Sequence, residues 1–176
     1  LKHLEHKTVI ERRPLPGGRG SSYHLTAAGR DLHDILIAMG RWSVNWLYER
    51  LDPTAVEAEQ LMWWMHRRVD PAALPDHRVT VRFDHTAPQR LSYWIVFEQR
   101  SASVCVADPG FDTDAVVIST TEQLARVFSG AQTWHAAVRS DAIVASGTPT
   151  VLRGLPTWFV WSPWADDVHA VEHHTG

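Results

Sequence analysis

The 176-residue chain is 44% hydrophobic and 21% charged with a net charge of −3, which fits one or two globular cores and excludes a disordered or collagen-like chain. No apolar run approaches the length of a membrane span and nothing resembles a signal peptide, so the expected address is cytoplasmic. The single cysteine, Cys105 in the apolar run VCV, excludes an internal disulfide and reads as a core residue.

In chain order, Leu1 and Leu4 share one face of the first six residues, as at the end of a helix. Val9 to Arg13 read as a strand, with Pro14 and Pro16 forbidding a regular ladder beyond it. Gly17, Gly18 and Gly20 surround Arg19 in a tip that tolerates positive φ, and Tyr23, His24 and Leu25 return as a second strand. Together these make a long basic hairpin. Thr26 is placed to cap a helix that begins at Ala27 and Ala28 and carries Leu32, Ile35, Leu36 and Met39 at helical spacing. Trp42, Val44, Trp46, Leu47 and Leu51 extend its apolar face to about Arg50. These tryptophans would meet either a second subunit or the helix that follows, and both placements remain open. Residues 1–50 hold eight Lys and Arg against five Asp and Glu, while residues 51–176 hold nine against fifteen. A basic end on an otherwise acidic protein suits a polyanion at that end only.

The run from Leu4 through VIERR, the glycine tip, YHLTAAGRDL and the GRW of Gly40–Trp42 resembles the wing and following helix of winged helix-turn-helix regulators of the HxlR kind. The resemblance implies a DNA partner, with Lys7, Arg12, Arg13 and Arg19 on the phosphates, and a long helix that supplies a homodimer contact. It also implies a recognition helix of which only the last turn falls within Leu1–Lys7. By this reading the chain begins inside a domain, and these residues alone are expected to bind DNA poorly.

Asp52 as N-cap and Pro53 at the first helical position open a second helix. It runs through Val56, Leu61, Met62, Trp64 and Met65, with Glu57 and Glu59 early and Arg67 and Arg68 late, in keeping with its dipole. Asp70-Pro71 stops it, and the loop PAALPDH is the expected boundary, so that residues 1–70 form one unit. From Arg78 the pattern alternates, with Val79, Val81 and Phe83 on one face of a strand. Leu91 to Glu98 is apolar on both faces, as in a central strand covered on both sides. Ala102 to Ala107 gives a third strand, Asp108-Pro109-Gly110 a turn, and Ala115 to Ser119 a fourth strand. Thr120 and Gln123 form a capping box for a helix that buries Leu124, Val127 and Phe128 and ends at Gly130. Thr133 caps a short helix that buries Trp134, Ala137 and Val138, Ile143 to Ala145 makes a fifth strand, and Thr148-Pro149 starts the last helix, bent at Pro156. The expected fold class is α+β: a partial winged helix, namely wing hairpin plus long helices, followed by a five-stranded α+β domain.

The order of strands, then ADPGFDTDAVV, a helix ending in SG, TWHAAVRSDAIVASG and a closing helix resembles the sterol carrier protein type 2-like domain over residues 78–164. Asp112 and Asp114, Gly130 with Trp134, and Gly147 occupy its recurring positions, and residues 165–176 are left as a tail. The resemblance implies a small apolar or amphiphilic ligand between sheet and helices, acting as effector. Trp94, Val96, Val104, Val106, Phe111, Leu124, Phe128, Trp134, Leu152, Leu155 and Phe159 are large and apolar enough to line such a cavity, or to fill a core in its place.

His169, His173 and His174 cluster near the C-terminus, but with no cysteine beside them no metal site is expected, nor any cofactor. There is no nucleophile elbow and no Walker loop, and Asp108, Asp112 and Asp114 lack the ligand pattern of a calcium loop, so no catalysis is expected. The rival reading is a lipid carrier or a structural module without a DNA function.

Overall fold

The computed structural model describes residues 1–47 and 56–174. A short helix α1 (Lys2–His6) precedes the hairpin of β1 (Ile10–Pro14) and β2 (Ser21–Leu25), paired antiparallel from Ile10↔Leu25 to Pro14↔Ser21. Pro14 was expected to lie beyond the ladder and instead closes it. In a two-stranded ribbon each strand has an outer edge, where a missing N–H leaves no partner unpaired. The tip turns through Gly17, Gly18 and Gly20 at φ 95°, 75° and 101°, where a side chain would be strained.

Helix α2 (Ala27–Leu47) grows directly out of the hairpin. Thr26 Oγ1 accepts from the Gly29 amide at 3.1 Å and donates towards the Thr8 and Val9 carbonyls, so the cap also ties the helix to the base of the wing. Gly29 permits that closeness, since a β-carbon there would stand 2.0 Å from the Val9 carbonyl oxygen. The expected helix start at Asp52 and Pro53 lies outside the described residues.

The second unit contains α3 (Ala58–Arg67), β3 (Val79–His85), β4 (Leu91–Glu98), β5 (Ser101–Cys105), β6 (Ala115–Ser119), α4 (Thr121–Ser129), α5 (Trp134–Arg139), β7 (Ile143–Gly147), α6 (Pro149–Trp158) and α7 (Ala165–His174). Five strands form one mixed sheet in the order β5-β4-β3-β6-β7, in which only β3 and β6 run parallel. The α+β architecture with five strands is thus as expected. Side-chain caps from Thr120 to Gln123 N at 3.1 Å and from Thr133 to Ala136 N at 3.2 Å start α4 and α5, and Gly130 ends α4 at φ 95°.

Four expectations need correction. The core draws on the sheet through one face only, Val79, Val81, Phe83, Tyr93, Ile95, Phe97, Ala115, Val117 and Ile143, so β4 is not covered by helices on both sides. On its other face, Val96 is buried between its ladder neighbours Thr80 and Ser103 without joining that core. Helix α3 was grouped with residues 1–70, yet Leu61, Met62 and Met65 are fully buried in the sheet's core. The sheet presents the largest apolar surface, and α3 satisfies its apolar face there; the chain after it is pinned by Asp70 N to Trp158 O at 2.9 Å and Val160 N to Arg68 O at 2.7 Å. The C-terminal stretch taken for a tail is α7, whose Val168 joins Val44 and Ala131 in a second small core, while Arg41 Nε meets Asp167 at 3.1 Å. Val138, finally, is exposed, because the short α5 turns only Trp134 and Ala137 inward.

One buried polar group makes stability pH-dependent. His85 is enclosed, its Nδ1 3.0 Å from Thr121 Oγ1 and its Nε2 without a partner among the described residues. Burial lowers its pKa from the ordinary value, outweighing the opposing pull of Asp84. The unfolded chain, titrating near its ordinary value, therefore binds the proton first as pH falls, and stability contributed by neutral His85 above that value is lost progressively below it. A lower Tm at about pH 5.5 than at about pH 7.5 is expected, with a smaller drop in His85→Phe. An unchanged drop in the variant would assign the pH response to other histidines.

Candidate functional site

The first candidate surface is the wing. Ladder pairing puts Arg12 beside Tyr23 on one face of the hairpin and Arg13 beside Ser22 on the other. Arg13 is held by Glu11. Lys7, Arg12 and Arg19 are exposed and have no partner among the described residues. The four cations expected to act alike are thus three free charges and one already paired, a distinction that only the geometry of the hairpin makes. Arg30 is engaged as well, its Nη1 donating to the Leu25 carbonyl at 2.8 Å.

Residues 1–51 match the HxlR-like helix-turn-helix family. The match covers the hairpin and α2, the stretch whose residues carry that resemblance in the sequence. None of the curated proteins matches the chain. Among solved structures, the stereoselective inverting sec-alkylsulfatase Pisa1 from Pseudomonas sp. is 14% identical with a TM-score of 0.52, over 62% of this chain and 17% of that one. The chain therefore spans less than a fifth of the alkylsulfatase, and the likeness is one of fold. A ubiquinone synthesis protein, UbiJ-SCP2, is 19% identical over 58% of this chain and 74% of that chain, with a TM-score of 0.39. Sterol Carrier Protein 2 Like 2 from Aedes aegypti is 14% identical over 72% and 95%, with a TM-score of 0.37.

The residues expected to line a ligand cavity in the unit after the HxlR-like segment do not converge. Leu124, Leu155, Phe159 and Val96 are buried, the first three in the main core. Leu152 and Val104 pack at the edge of that core and Trp94 is half-buried. Val106 is 67% exposed and Phe111 40%; Phe111 lies beside Arg78 and Thr80 at the edge of the sheet. Only Trp134 and Phe128 face sizeable apolar-walled pockets. Trp134 lines one of about 400 Å³ with Val127, Pro156 and Trp161; Phe128 lines one of about 500 Å³.

This second pocket lies where the HxlR-like helix meets the sheet unit. Val44 of α2, Trp64 of α3, Phe128 of α4, Pro163, Trp164 and Val168 of α7 form its apolar walls, with Arg67, Arg68, Ser129 and Ser162 as the polar members. Trp64 and Phe128 stack, ring centroids 6.4 Å apart and 18° from parallel. The Trp164 ring abuts α2 by its Nε1 edge, where a β-carbon at Gly40 would stand 2.1 Å from it, and its Nε1 donates to the Ile37 carbonyl at 3.0 Å. The serines are internally engaged: Ser129 Oγ donates to Arg126 O at 3.1 Å and Ser162 Oγ accepts from Trp164 N at 3.3 Å. Sequence reasoning missed this site because its walls come from five separate stretches. The unusual number of tryptophans, nine, was the one available signal. The side chains of His169, His173 and His174 lie outside the described residues.

Proposed function

We propose that the chain belongs to a cytoplasmic, DNA-binding transcriptional regulator that is dimeric and non-catalytic, with the sheet unit as its effector-responsive part. The observation that carries this reading is the HxlR-like hairpin bearing Lys7, Arg12 and Arg19 exposed and free of partners among the described residues. Free cations on a projecting ribbon can each displace a counterion from a phosphate, and a charge already matched by a carboxylate gains less. The test is a salt titration of DNA binding by the full-length protein with and without those three charges. Affinity and salt slope that are indifferent to all three would overturn the wing reading and favour a carrier or structural module.

The dimer rests on a separate observation. Leu32, Ile35, Met39, Trp42 and Trp46 recur at alternating spacings of three and four and are all exposed, Trp42 by 57% and Trp46 by 71%. That spacing matches the pattern of a seam between two paired helices, which supports a second copy over the following helix as the tryptophans' neighbour. In solution the protein is expected to sediment as a dimer, and Met39→Glu with Trp42→Glu to sediment as a monomer with an unchanged Tm. A wild-type protein that is monomeric at every concentration would refute the assignment.

A further inference from the structure

The pocket between α2, α3, α4 and α7 is a half-open cleft walled by aromatic and aliphatic side chains, and at about 500 Å³ it falls in the range of small-molecule sites. Its polar capacity is one-sided. Ser129 spends its proton on the Arg126 carbonyl, while Ser162 Oγ accepts from Trp164 N and keeps its own proton to donate. Arg68 donates through Nε to the Val160 carbonyl at 3.0 Å and otherwise meets no carboxylate, and Arg67 has no partner among the described residues. Burial lowers the Arg68 pKa, the mark of a cation set in partly dry surroundings without an anion beside it. Four of the chain's other arginines, Arg13, Arg41, Arg78 and Arg82, do have a carboxylate. An apolar cleft whose remaining donors are the Arg67 and Arg68 guanidinium groups and the Ser162 hydroxyl selects a ligand with an apolar body and an anionic head.

We infer that this pocket is the effector site and that it takes an amphiphilic organic anion, its hydrocarbon or aromatic part against Trp64, Phe128 and Trp164 and its carboxylate at Arg67 and Arg68. The site lies outside the main core between sheet and helices, and one of its walls is α2 itself. Trp164 touches both the chamber and the Gly40 turn of that helix, so an occupant has different contacts whenever α2 shifts against α7. That difference is what a switch requires. The inference deepens the effector reading above, while its test needs no DNA.

The test is calorimetric titration of the full chain with decanoate, decanol and decyltrimethylammonium, which share one tail and differ in head group. Decanoate should bind about tenfold tighter than decanol, the scale of one charge-assisted contact, with the cationic amphiphile weakest. Arg67→Gln, at an exposed position, should reduce the decanoate preference, Arg68 holding what remains. Ser129→Phe, which fills the chamber, should abolish binding of all three. Equal affinity for the three amphiphiles, a decanoate preference undiminished in Arg67→Gln, or wild-type binding by a well-folded Ser129→Phe protein would each overturn the assignment, as would no binding at all. Wing variants that leave DNA binding unchanged would remove the regulator reading and leave this one standing on its calorimetry.

Discussion

Replacing Lys7, Arg12 and Arg19 together by alanine lowers the DNA affinity of the full-length protein by on the order of a hundredfold at about 0.15 M salt, and reduces the slope of log K against log salt by about 2.7. Both figures follow from one assumption, that each free cation neutralises one phosphate and releases about 0.9 counterion. The loss should be similar on specific and unrelated sequences, because a wing that reads phosphates carries little base information. Arg13→Ala is the internal control. Its guanidinium is matched by Glu11 on the same strand, so its removal should cost distinctly less than that of Arg12, which is next to the same glutamate in sequence but on the other face of the ribbon. Equal losses for Arg12→Ala and Arg13→Ala in a salt-dependent gel-shift series would show that the pair opens on DNA. No loss for the triple variant would end the wing assignment.

Phe97→Ala is expected to give the largest loss of stability, about 3–5 kcal/mol, as for other large aromatic truncations in a packed core. The ring is fully buried on β4. It meets Trp158 at 5.1 Å and Phe159 at 5.8 Å between centroids, both edge to face, so truncation removes its own burial and two aromatic contacts at once. Those partners sit where α6 ends and the chain bonds back to α3 through Asp70 N to Trp158 O and Val160 N to Arg68 O, a junction with little freedom to collapse into the void. Against the roughly 5–15 kcal/mol of a typical domain, such a loss removes a large share of the margin. Phe111→Ala provides the contrast: its ring is 40% exposed beneath the Arg78 guanidinium at 4.1 Å, where about 1 kcal/mol is expected. Urea denaturation of the three proteins decides it, and comparable midpoints for Phe97→Ala and wild type would show that the core repacks around the gap.

Local chemistry made much of this protein legible in its sequence. The hairpin, its glycine tip and the Thr26 cap depend on φ preferences and a hydroxyl within a few residues of its target. The alternation from Val79 to Phe83 and the caps at Thr120 and Thr133 likewise need no distant partner, so the five strands and the helices between them could be placed from residue spacing. Which faces these elements cover was decided elsewhere. An apolar face states that something must cover it and not what does: α3 could have packed on α2 and instead fills the sheet's core, while Val96 is buried outside that core. The same holds for the site. Val44, Trp64, Phe128, Trp164 and Val168 are scattered over more than a hundred residues and share no spacing, so the chamber they form exists only once α7 has closed against α2. Burial acts on surfaces brought together by the whole chain, and periodicity records only the surface each segment presents.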